Sequence, residues 1–161
     1  MGRSEIDVSE LSPVVQFVHA GTHNQISLNT VLPRDDTAPQ SSEGDEVITL
    51  AITPKHADNI LLIEFSTFGD VGGNLGLSAA LFQDSTVAAI SAISFAWQGT
   101  GGGGAVESGM LRHIMTAGTT SATTFKIRCG PSTGTTGTIN PQDFGILAAT
   151  WLTITEYLVT A

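Results

Sequence analysis

The sequence has a single cysteine, two tryptophans, one tyrosine and only six basic residues in 161 positions, and each scarcity removes a class of protein. With Cys129 alone there is no intrachain disulfide framework. None is needed, since a chain of this length buries roughly 68–70% of its unfolded surface. Arg112, Lys126 and Arg128 are the only bases after Lys55, too few to track a phosphate backbone, so no nucleic-acid partner is expected. No apolar run approaches the ~18 residues that mark a membrane-spanning helix, so no membrane insertion is expected. The opening residues MGRSEIDVSELS lack the apolar core of a signal peptide. The expectation is synthesis in a cytoplasm and assembly there into something larger.

Hydrophobic residues make up 41% of the chain and charged ones only 13%, too apolar a balance for disorder. So little charge also suggests that surface beyond the monomer core is covered in an oligomer. The net charge is −9, and eight of the 15 acids fall within the first 46 residues. Solubility and self-repulsion are the ordinary consequences of such a balance.

Abundant Thr, Val, Ile and Gly, with short apolar runs between turn signals, read as β-structure throughout. Residues 1–12 read as an arm, with Ile6, Val8 and Leu11 set among acids, and residues 13–161 as one β-sandwich domain. Val15 and Phe17 begin a first strand, with a turn expected at Ala20-Gly21. Ile26 to Leu32 is expected as the second, stopped by Pro33. Arg34 to Asp45 has loop composition. Glu46 to Ile52 alternates, with Ile48, Leu50 and Ile52 on one face, and Pro54 ends the strand because it cannot donate to a ladder. Asn59 to Phe65 is apolar on both faces: Ile60 and Leu62 oppose Leu61, Ile63 and Phe65. A solvated antiparallel strand should alternate instead. Two apolar faces imply a central strand covered by the facing sheet on one side and a neighbouring subunit on the other.

After a Gly69–Gly76 loop, Leu77–Phe82 and Thr86–Phe95 are expected to pair around Gln83-Asp84-Ser85. Glu107–Thr116 and Ser121–Cys129 are expected as the next pair, turning at Ala117-Gly118-Thr119. Cys129 shares a face with Phe125 and Ile127, which makes it a small buried hydrophobe in preference to a reactive thiol. Gly130–Asn140 is a loop or a short weak strand. In the closing strand from Trp151, Leu152, Ile154 and Leu158 share one face and Trp151 takes the other. Eight to ten strands result, as expected for an antiparallel two-sheet, jelly-roll-like sandwich, and a trimer would cover the second apolar face.

Chemistry-bearing patterns are sparse. Asp35, Asp36, Glu43, Asp45 and Glu46 offer oxygen ligands that calcium prefers, but without EF-hand spacing, and a solvated or interface-capping loop is the expected role. No cofactor is expected. His19 and His23 are four apart, a zinc spacing on a helix, but here they flank a turn between strands. The Gly101–Gly104 run lacks the Lys-Ser/Thr of a phosphate loop. No nucleophile elbow occurs, and the chain is not expected to be an enzyme. Among the aromatics, Trp151 is expected at a subunit interface together with Ile60 and Leu62. Trp97, beside the glycine run, is the better candidate for a ligand loop.

The segment DDTAPQSSEGDEVITLAITPKHADNILLIEF (Asp35 to Phe65) sets an acidic, turn-rich loop before two apolar strands joined at a Thr-Pro-Lys corner. With ALFQDSTVAAISAIS (Ala80 to Ser94) and WLTITEY (Trp151 to Tyr157), it resembles β-structured bacteriophage virion proteins of the tail-fibre or capsid-decoration type. The resemblance spans roughly Val14 to Tyr157. It implies a homotrimeric virion protein. The short chain and its arm favour an exterior capsid decoration or cement protein that contacts the major capsid protein. The alternative is the receptor-binding tip of a tail fibre or spike that recognises a host surface glycan. In that case the loops Gly69–Gly76, Gly99–Ala105 and Gly130–Asn140 would form the binding end.

Overall fold

A computed structural model describes residues 13–72, 76–97, 105–134, 136–142 and 149–159. The proposed arm with Ile6, Val8 and Leu11, and the glycine run Gly101–Gly104, lie outside these residues, as does the side chain of Trp97.

Ten strands are present, β1 (Val14–Thr22), β2 (Ile26–Leu28), β3 (Asp45–Ile52), β4 (Ile60–Val71), β5 (Gly76–Gln83), β6 (Ser91–Trp97), β7 (Ala105–Thr116), β8 (Thr123–Pro131), β9 (Gly137–Ile139) and β10 (Thr150–Tyr157). They form two antiparallel sheets. One runs β1-β10-β4, with β7 on the far edge of β4 and the short β9-β2 pair continuing from the end of β4; the other is ordered β3-β8-β5-β6. All registers are antiparallel. The chain passes repeatedly between the two sheets of this antiparallel β-sandwich.

The core is the stack of inward positions. Leu61, Ile63 and Phe65 of β4, Leu152 and Ile154 of β10 and Leu111 of β7 meet Ile48 and Ile52 of β3, Leu77 and Leu81 of β5 and Phe125 and Ile127 of β8. Each such side chain contributes about 1.5–3 kcal/mol by leaving water. Cys129 belongs to this core, as its alternation predicts.

Several local expectations are corrected. Ala20 and Gly21 continue β1, because both pair with β10. The second strand stops at Leu28, where Asp45 takes over the Asn29 and Thr30 amides. Gly69 to Val71 extends β4 and is not a loop, since β7 and β9 pair it on both edges. Of Thr86–Phe95 only the part from Ser91 is strand; Ala88 forms an isolated bridge with Gln40. β7 and β8 do not pair: β7 lies on β4 and β8 between β3 and β5, so Ala117–Ser121 crosses from sheet to sheet. Gly130 belongs to β8, and β9 is the short strand within Gly130–Asn140.

The strand covered on both faces inside this chain is β5. Its inward residues enter the core, while Ala80 and Phe82 pack outward under Leu32, with Ala89 beside them. Leu32 donates its amide to Pro131 O at 3.0 Å, which ties the acidic loop to that sheet. On β4 the inner face is buried and the outer positions Ile60 and Leu62 are half-buried.

Candidate functional site

The registers of β1, β10, β4 and β7 determine which side chains share the outer face of the larger sheet. Leu62 stands between Thr155 on β10 and Ile114 on β7; Ile60 stands between Tyr157 and Thr116; Phe17 on β1 pairs with Thr155. Ile114 is 61% exposed and Phe17 55%, so this end of the face is apolar and open. In mid-face, Arg112 donates to Glu64 Oε1 from Nε at 3.0 Å and from Nη2 at 2.6 Å. As a partly exposed pair it adds only about 0–1 kcal/mol to stability. It does leave the centre of the face neutral on a strongly acidic protein.

Towards the other end stands Trp151, opposite Gly21 on β1 and Ser66 on β4. A Cβ on residue 21 would run into the indole ring, so Trp151 covers the backbone of Gly21, an approach only glycine permits. His19 and His23 flank the ring with centroids 6.0 Å away, His23 edge-on, and Phe17 lies 5.8 Å from His19. Trp151 remains 39% exposed. At its edge a hollow of about 220 Å³ is lined by Glu64, Phe65, Ser66, Met110, Trp151 and Thr153.

Three carboxylates of the acidic loop, Asp35, Glu43 and Asp45, take donors from the protein. Asp45 accepts from the Asn29 and Thr30 amides and from Thr30 Oγ1, at 2.6, 3.0 and 2.6 Å. Partial burial pushes its pKa up. The Thr30 and Asn29 hydrogen bonds and the charge of Arg128 outweigh that, and the net shift is downward. Asp35 is held low by the Thr37 hydroxyl and amide. Glu43 accepts the Gln40 amide at 2.7 Å, while Asp36 and Glu46 are exposed. Among the described residues no three His, Cys, Asp or Glu side chains gather as a metal site. Among the described residues the one histidine–carboxylate contact, His56 Nδ1 to Asp58 Oδ2 at 3.6 Å, is also exposed.

Glu156, which no sequence signal singled out, is the one fully buried acid among the described residues. It accepts from Asn59 Nδ2, Gln16 Nε2 and the amides of Lys55 and His56. Burial pushes its pKa up, but the four donors more than offset this and hold the carboxyl below its usual range. A second buried polar chain links Thr67, Thr150 and Asn140, whose amide closes on the carbonyls of Thr22 and Asn24. Both are structural clasps.

The structure thus places Ile60, Leu62 and Trp151 on one sheet face. Phe17, Ile114, Met110 and Ser66 join them, although sequence reasoning did not single them out for the site. The alternation Met110-Arg112-Ile114 carried the signal, but it needed the pairing of β7 with β4 to be read. Compared with known proteins, the chain matches no family model and no curated protein.

Proposed function

We propose that this chain is a non-enzymatic structural protein of a bacteriophage virion, carried as a homotrimer on the exterior of the capsid as a decoration or cement protein. The observation that carries the assembly part is the open apolar end of the larger sheet, where Ile60, Leu62, Ile114 and Phe17 share one face. Contiguous apolar surface rimmed by polar groups marks sites of protein association. The neutral Glu64–Arg112 pair lets like-charged copies approach there. The virion assignment draws on the resemblance of the Asp35–Phe65 segment and its two companions, and the capsid protein is then the further partner.

Sedimentation tests the assembly: a stable monomer near 16.7 kDa at micromolar concentration would remove it. Microscopy of particles carrying a labelled chain tests the location. Many copies over the head support decoration, and a few at the tail support a fibre. If deletion of residues 1–12 leaves particle occupancy unchanged, the arm is not the anchor.

The exposed Trp151 with its polar surroundings favours a second reading, the receptor-binding tip of a tail fibre or spike that recognises host glycan.

A further inference from the structure

We propose that the hollow beside Trp151 binds a neutral pyranose ring. The site has the composition of a sugar subsite, with one rigid aromatic plate and a few hydrogen-bonding groups at its edge. Trp151 is seated on Gly21 and braced by His19 and His23, so its ring is ordered before any ligand arrives. The C–H face of a pyranose covers such a plate, while its hydroxyls need partners around the rim.

Those partners are present. Ser66 and Thr153 line the hollow, and among the described residues neither hydroxyl has a hydrogen-bond partner. Glu64 lines it too and receives both Arg112 bonds on Oε1, which leaves Oε2 able to accept. A dry subunit contact over this end would strand these groups without partners, whereas a polyol satisfies them. The apolar end suits a subunit and the Trp151 end suits a polar ligand. Ser66 lies four residues beyond Leu62 on β4, about 13 Å at strand spacing, so both ends can be occupied together. A hollow of about 220 Å³ is smaller than the ~300–1,000 Å³ typical of larger ligands, which matches a single ring. The net charge of −9 disfavours acidic sugars. The site deepens the receptor-binding reading and rests on it only for the biological source of the sugar.

The test is saturation-transfer NMR on the full chain with methyl α-glucopyranoside, methyl β-galactopyranoside and N-acetylglucosamine, with sedimentation run in parallel. Transfer to the ring C–H protons of at least one probe is expected. It should fall by at least about tenfold in Trp151→Ala and in Gly21→Ala, which displaces the indole. Thr153→Val and Ser66→Ala, which keep the sheet, should each weaken it on their own, with the oligomer unchanged. No transfer from any probe to the wild-type chain overturns the proposal, as does transfer that survives Trp151→Ala. Dissociation of the oligomer by Trp151→Ala also overturns it, by placing the indole in the subunit contact. A wild-type monomer that still binds sugar would sink the trimer and leave this site standing.

Discussion

Asn59 Nδ2 donates to Glu156 Oε1 at 2.6 Å, and this buried bond joins the first residue before β4 to the end of β10. The same carboxylate holds the Lys55 amide at 2.8 Å and reaches Gln16 on β1, so one side chain ties two strands and the Thr53–His56 corner. Because the folded pKa of Glu156 lies below its unfolded value of about 4.3, its contribution is complete above that pH. It is lost as pH falls through the lowered folded value. Asp45 acts with the same sign, below about 3.9. Urea denaturation from about pH 6 down to pH 2 should therefore show stability falling only at the acid end. Glu156→Gln should cost about 2–3 kcal/mol at neutral pH and flatten that acid limb. Parallel profiles for the two proteins would assign the acid sensitivity elsewhere.

Ile114→Asp tests the apolar end without endangering the fold, because the side chain is mostly exposed. The variant should remain folded by circular dichroism and sediment as a monomer. Leu62→Asp, on the half-buried neighbour, should abolish assembly or folding outright. A native-like oligomer carrying either change would move the interface off this face.

Cys129 should be inert while the protein is folded. Burial, and then the nearby charge of Asp45, push its thiol pKa far above the ordinary value, so almost no thiolate forms. A disulfide reagent at about pH 8 should modify it only after denaturation. Cys129→Ser places an extra hydroxyl in the core and should cost about 1–3 kcal/mol, read from the denaturation midpoint.

Gly130 is a packing requirement of β8. A Cβ there would meet Thr30 O and come within 2.8 Å of Leu32 N, and backbone cannot yield as a side-chain tip can. Gly130→Ala should cost about 1–3 kcal/mol and loosen the 29–32 segment, visible as faster amide exchange at Leu32.

Much of the sandwich was legible before folding. Period-two alternation in Ile48–Ile52, Phe125–Cys129 and Trp151–Ile154 correctly separates inward from outward residues, because side-chain direction along a strand is a local property. It fails at Val47, expected outward, where a register shift between Glu46 and Ile48 lets it pack against the core. The two apolar faces of Ile60–Phe65 were equally plain. What covers them was not. Pairing is decided between segments far apart in sequence, so β7 and β8, adjacent in the chain, end in different sheets, while β10 slots between β1 and β4. Glu156 carried no signal of its own in the sequence; Gln16, the Lys55 and His56 amides and Asn59 close around it only in the fold.

The sequence by itself determined an all-β chain of short amphipathic strands, a core of Leu, Ile and Phe, and a buried thiol. Those follow from composition and alternation, which act over a few residues. Only the tertiary structure decided that the doubly covered strand is β5, that Ile114 stands beside Leu62 with Phe17 one strand further on across Thr155, and that Trp151 rests on Gly21 next to Glu64, Ser66 and Thr153. Those arrangements depend on which strand edges remain free once each loop has closed, and no local pattern encodes that.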